Sequence, residues 1–172
     1  MFSTIDELNA GMQLDIDIEG WPATPDWADL AWRVLEAAEG AEPLLSNERL
    51  TASLLFTVDE EVRTLNREWR TKDQPTNVLS FPMMTRGELA ALQPDGGPEM
   101  LGDIALAWKT CAREAAEKGV PVEHHTAHLI LHGLLHLAGH DHATGDAEAE
   151  AMERLEVAAL AKLGIKNPYA EH

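Results

Sequence analysis

The sequence predicts an α+β domain built on one mixed sheet, and three observations carry that prediction. Short runs of strand character mix with helix-length segments whose apolar residues recur at helical spacing, and no regular βαβ rhythm emerges. The chain has 172 residues and 18.9 kDa, the size of one domain with room for a core. Its hydrophobic content of 45% and charged content of 25% are those of an ordinary globular protein, with neither an internal repeat nor a low-complexity tract. A single domain over residues 1–172 is expected.

Taken in order, QLDIDIEG (13–20) alternates apolar and polar residues as a half-buried strand does. DWADLAWRVLEAAE, from Asp26 to Glu39, has helical periodicity, with Pro25 and Asp26 as its start and Gly40 as its stop. TASLLFTV (51–58) is a strand, and Asp59 then reads as the N-cap of a helix running to about Trp69. NVLSFP (77–82) is a short strand. The segment 85–100 carries two prolines and a Gly-Gly pair in its second half and reads as a mobile loop. GDIALAW (102–108) is a strand leading into the helix KTCAREAAEKG, which Gly119 and Pro121 close. A long helix follows from Val122 to about Ala138, ended by Gly139, and a last one from about 146 to 163 stops at Gly164.

Composition narrows the function classes. No apolar run is long enough to span a bilayer, so no membrane partner is expected. The N-terminal MFSTIDELNAGMQ lacks the basic start and apolar core of a signal peptide. One cysteine, Cys111, can form no internal disulfide and builds no cysteine-based zinc site. A cytoplasmic location is the expectation. A net charge of −17 argues against broad affinity for polyanions, so any nucleic-acid site must concentrate its cations locally.

Seven of the eight histidines lie between His124 and His142, four of them in HGLLHLAGHDH (132–142). His132 and His136 stand four residues apart, which on a helix separates them by only about 40° and one turn of rise. Both imidazoles can then converge on one ion. Gly139 breaks the helix, so that His142 can reach the same ion from another side. Three imidazoles and a vacant fourth position describe a catalytic zinc site. The spacing is that of the metzincin proteases, but Gly133 stands where those enzymes carry their glutamate base. His128 lies on the same face, yet i, i+4 and i+8 span about 12 Å, too far for one ion. It is expected beside the ligands or in the adjoining core. Asp141 either orients a ligand imidazole or shapes the turn. His140 either assists chemistry or faces solvent in the loop. His124 and His125 are expected in solvent near the helix start, and the last helix, with Asp146, Glu148, Glu150, Glu153 and Glu156, is expected to be a solvated acidic face.

Positive charge gathers at one place. Arg63, Arg67 and Arg70 are spaced i, i+4, i+7 on one helical face and Lys72 follows, so four of the thirteen basic residues fall within ten positions. They form either a solvated face paired with Glu60, Glu61 and Glu68 or a phosphate-binding edge. Lys109, Arg113 and Lys118 make a second, weaker set.

These features together resemble the YbeY family of bacterial endoribonucleases. The family pattern H-G-x-L-H-L-x-G-Y-D-H is met by His132, Gly133, Leu135, His136, Leu137, Gly139, Asp141 and His142, with His140 where tyrosine is usual. A second motif is matched by Leu65, Asn66, Trp69 and Arg70 and then by Lys72 through Pro82, and a third, L-G-D-I, by Leu101 to Ile104. Order and spacing agree over about residues 50–145.

The resemblance implies a mostly parallel four-stranded sheet against about five helices, distantly like the zinc proteases. It implies a metal-dependent endoribonuclease acting on single strands in ribosomal RNA maturation and ribosome quality control. The substrate is then single-stranded ribosomal RNA rather than DNA, with the ribosome or ribosomal proteins as partners. His132, His136 and His142 would hold one Zn²⁺, with Arg70 and His132 as catalytic groups. Arg63, Arg67 and Lys72 would bind substrate; Asp141 and His128 would flank the ligands. With no base at Gly133, a water acidified at the metal and the ribose 2′-hydroxyl both stay open as nucleophile. Nickel, iron and cobalt also accept imidazole. A zinc peptidase using another base and a non-catalytic ribosome assembly factor are the competing readings.

Overall fold

The computed structural model describes residues 11–70, 76–141 and 145–170, apart from the Arg70 side chain. Four strands form one sheet: β1 (Gln13–Ile18), β2 (Leu50–Thr57), β3 (Val78–Pro82) and β4 (Glu99–Ala107), in the order β1-β2-β4-β3. β1 runs parallel to β2 and β2 to β4, while β3 pairs antiparallel with β4. Among the described residues six α-helices accompany them: α1 (Trp27–Ala41), α2 (Asp59–Arg70), α3 (Arg86–Ala91), α4 (Trp108–Lys118), α5 (Val122–Leu137) and α6 (Asp146–Lys162). The mixed, mostly parallel α+β architecture is the one expected.

Strand alternation sorts these helices onto two faces. Ala52, Leu54 and Phe56 of β2 and Ile104 and Leu106 of β4 point into the main core, where α1, α5 and α6 deliver Leu30, Val34, Ile130, Leu134, Met152 and Leu160. Leu55 of β2, Leu79 and Phe81 of β3 and Ala105 and Ala107 of β4 point the other way, into a small cluster with Val62 and Leu65 of α2. The arginine-bearing helix and the histidine-bearing helix thus cover opposite faces of the sheet.

α5 touches β3 and β4 below and α1, α4 and α6 at its sides. Ten of its sixteen residues are buried, which is why it lacks the one-sided stripe of a surface helix. Two glycines allow the close packing. A Cβ on Gly133 would sit 3.0 Å from Ile104 Cδ1 of β4, and one on Gly102 would sit 2.5 Å from the backbone oxygen of Phe81. The Leu-Gly-Asp-Ile motif therefore marks where β3 and β4 approach too closely for any side chain.

Three local expectations need correction. α1 runs through Gly40 to Ala41, and the helix yields at Glu42, because Pro43 disfavours helical geometry in the residue before it. The segment 85–100 is not loop throughout: Arg86–Ala91 is helical, closed by a capping box between Thr85 and Glu88. The turn beyond it is tied down by Arg49, which donates to the carbonyls of Gln93 and Gly97 at 3.0 Å each.

Asp59 opens α2 but caps a different helix. Its carboxylate accepts the backbone N–H groups of Lys109 at 2.8 Å and Thr110 at 3.2 Å, at the start of α4, where Ala107 supplies no side-chain cap. Substituting Asp59→Ala is expected to cost about 1–2 kcal/mol, the usual range for a lost cap. In thermal unfolding that is a fall of roughly 2–8 °C for a domain of this size, with Asp59→Asn losing less.

Candidate active site

The helix α5 lies along one wall of a cavity of about 420 Å³. His128, His132 and His136 line it from successive turns of that helix, and His140 and Asp141 from the chain just beyond Gly139. With His125, five imidazoles among the described residues therefore share one pocket. The opposite wall brings Asn77 and Ser80 of the β3 segment and Lys118 at the end of α4.

Each α5 ring that lines the cavity is held by a group from another element. His132 donates Nδ1–H to Glu156 Oε2 of α6 at 2.6 Å, and His128 Nε2 faces Glu156 Oε1 at 3.1 Å. The Tyr169 hydroxyl donates to the same Oε1. An ionised carboxylate only accepts, so both imidazoles must donate to it, and this assigns their tautomers. Glu156 is fully buried. Burial would raise its pKa, but the hydrogen bonds from His128, His132 and Tyr169 overcome that and hold it down to about 2. Tyr169 is correspondingly pushed far above the usual phenol range by burial and by Glu156. The acidic face expected of α6 is thus interrupted: Glu156 is a core residue that braces two histidines. It shares the buried stripe of Met152, Ala159 and Leu160, a spacing visible in the sequence.

His136 Nδ1 meets the Ser80 hydroxyl of β3, whose side chain points to the α5 face of the sheet. The Nδ1 atoms of His132 and His136 are therefore both engaged by oxygen. That makes Nε2 the nitrogen each would offer to a metal, the arrangement in which ligand imidazoles are usually oriented.

Between them, Gly133 is buried against Ile104. A side chain at that position would press on the Ile104 side chain, so the tight packing suits glycine where the metzincins carry their glutamate base. Gly133→Glu is expected to destabilise the fold by about 1–3 kcal/mol, read as a lowered melting temperature, because its side chain presses on Ile104.

At the far end of the pocket, His125 is buried rather than in solvent. Its Nε2 lies 2.8 Å from Glu114 Oε1, to which Asn77 Nδ2 also donates at 2.9 Å. Burial lowers the His125 pKa in spite of that hydrogen bond. Burial would raise Glu114, yet hydrogen bonds from Asn77 and His125 bring it below the ordinary carboxylate value. The start of α5 is packed against α4, which the sequence does not reveal. His140 is likewise anchored: Nε2 lies 2.7 Å from Glu42 Oε1, and the Arg86 guanidinium joins the same carboxylate and the Ala138 carbonyl. Burial would raise Glu42, but Arg86 and His140 hold it below its ordinary value.

Of the remaining expected site residues, His142 and Lys72 lie outside the described residues, as does the Arg70 side chain. Arg63 and Arg67 are exposed on α2, across the sheet from the imidazoles, and are not among the residues lining the cavity. Among the described residues, no group of three His, Cys, Asp or Glu is arranged to hold a metal. The two described candidates, His132 and His136, fit one in the chemistry of their donor atoms, since both Nδ1 atoms are engaged by oxygen. No helix among the described residues is long and apolar enough to cross a membrane.

A mixed sheet backed by a buried histidine helix, with a polar pocket on that helix, defines the class: an α+β domain whose site is built from imidazoles on a single helix. The Endoribonuclease YbeY family model matches residues 16–164. A protein from Erythrobacter litoralis named Endoribonuclease YbeY is 60% identical over 160 residues, covering 93% of this chain and 99% of that one. Another of that name from Novosphingobium aromaticivorans is 55% identical over 160 residues, covering 92% and 95%. The chain belongs to the YbeY endoribonuclease family, and its activity class is that of a nuclease. The solution structure of a Thermotoga maritima protein shares the fold, with a TM-score of 0.53 at 20% identity over 91% of this chain and 99% of that one.

Proposed function

We propose that this protein is a zinc-dependent endoribonuclease that cuts single-stranded ribosomal RNA in the cytoplasm, in ribosome maturation and quality control. His132, His136 and His142 would hold one zinc ion, and Arg70 would contact the phosphodiester. One observation carries the reading: a fully buried carboxylate, Glu156, fixes the tautomer of His132 inside a pocket that His136 shares. A buried carboxylate is costly unless it is hydrogen-bonded, and here two of its partners are imidazoles of the pocket. When bound, zinc would supply Lewis acidity to the phosphodiester and lower the pKa of water.

The chain's own residues do the rest. Glu156 and Ser80 orient the two rings, Gly133 offers no carboxylate base beside them, and the polar pocket admits a flexible strand. The family's name supports RNA as the substrate, and the resemblance of the motifs supports the ribosome as partner. The glycine at 133, where a metzincin carries its glutamate base, counts against a metzincin-like peptidase.

The test is cleavage of a single-stranded ribosomal RNA fragment by tag-free protein of measured metal content, with and without chelator. About one zinc per chain and chelator-sensitive cutting is the expected result. Zinc without cutting would favour a non-catalytic assembly factor, and no bound metal would remove the site. A substrate with a single 2′-deoxy at the scissile position chooses the nucleophile: undiminished cutting excludes attack by that hydroxyl.

A further inference from the structure

The second basic set, Lys109, Arg113 and Lys118, is unused by this chemistry, and the fold divides it. Arg113 lies 3.9 Å from Glu117 one turn along α4, with both side chains exposed. Lys109 is exposed and lends its backbone N–H to Asp59. Lys118 alone of the three lines the imidazole cavity, from the last turn of α4. Among the described residues lining that cavity it is the one lysine or arginine.

Among the described residues, the charges around this pocket are mostly unfavourable to a polyanionic strand. The chain carries −17 overall, Asp141 lines the cavity, and Glu114 and Glu156 stand behind its histidines. Arg63 and Arg67 cannot offset this locally, because α2 covers the other face of the sheet. Asn77 and His125, which line the wall near Lys118, are both tied to Glu114. We propose that Lys118 binds a backbone phosphate next to the one being cut and so sets the affinity of the pocket for single-stranded RNA. The proposal rests on the endoribonuclease reading. A lysine is a compact charge on a flexible stem, so it takes a phosphate without fixing its orientation and without reading sequence.

The experiment compares wild type with Lys118→Gln, Lys118→Glu and Lys118→Arg. Binding of a fluorescein-labelled 2′-O-methyl single-stranded oligonucleotide is followed by anisotropy from about 50 to 200 mM salt, alongside cleavage kinetics on unmodified RNA. Losing one phosphate contact should reduce the slope of log K against log salt by about 0.7 in Lys118→Gln, and weaken binding about four-fold near physiological salt. KM should rise by a similar factor with kcat little changed, since the contact serves ground state and transition state alike. Lys118→Arg should keep the slope, and Lys118→Glu should weaken binding further. A purely structural lysine would instead change the melting temperature and leave the slope alone. If wild type cuts RNA and Lys118→Gln keeps both slope and KM, this inference is wrong and the endoribonuclease reading stands. If wild type neither binds nor cuts single-stranded RNA, both are wrong.

Discussion

Replacing His136 with alanine is expected to remove both bound metal and RNA cleavage while leaving the fold in place. The ring lines the cavity and is only partly buried, and alanine is the best helix former, so α5 should persist. Loss of one of three proposed ligands removes the Lewis acid itself. A deficit of at least ~10³-fold in kcat/KM, about 4 kcal/mol of transition-state stabilisation, is the expected scale. Elemental analysis, cleavage and a melting curve on the same preparation separate the possibilities. A companion variant grades the response: Ser80→Ala removes the hydroxyl at His136 Nδ1 and should lower metal affinity by about 10–100-fold without abolishing it. Equal metal content in wild type and His136→Ala would show that this ring is not a ligand.

Much of the fold was legible because its signals are local. β2 alternates over most of its length, β4 is buried through most of its length, and the ends of α4 and α5 carry glycines with positive φ, at Gly119 and Gly139. Errors arose where a local sign had a distant cause. Asp59 has the chemistry of an N-cap, but its carboxylate serves a helix fifty residues further on. The six residues of α3 are too few to display periodicity, although the Thr85–Glu88 pair announces a helix start.

The site divides along the same line. His132 and His136 were legible since four residues of spacing on a helix is a property of the sequence alone. The groups that orient them were not, because Glu156 is 24 residues from His132 and Ser80 is 56 residues from His136. Charge was the misleading cue at Glu156, one of several acids in α6, when its place among Met152, Ala159 and Leu160 was the better one. His125 was misread for a similar reason, as a helix start looks exposed until α4 is laid against it.

Glu156 should be the costliest position to change for stability. Alanine there would leave His128 Nε2, His132 Nδ1 and the Tyr169 hydroxyl without the buried acceptor they share. Removing one partner from a buried charged network typically costs about 3–5 kcal/mol. For a domain of this size that is a fall of roughly 10 °C in melting temperature. Glutamine is the sharper probe, since it keeps the volume but offers one acceptor and one donor in place of two acceptors. If its oxygen serves His132, its amide faces the donors His128 and Tyr169; if it is turned over, His132 loses its acceptor. Glu156→Gln should therefore destabilise the fold, and the orientation of His132 should suffer with it, lowering metal affinity about 10–100-fold in a competition titration against a chelator. A variant that melts early but binds metal as tightly as wild type would make Glu156 a core residue only, with no part in positioning the site.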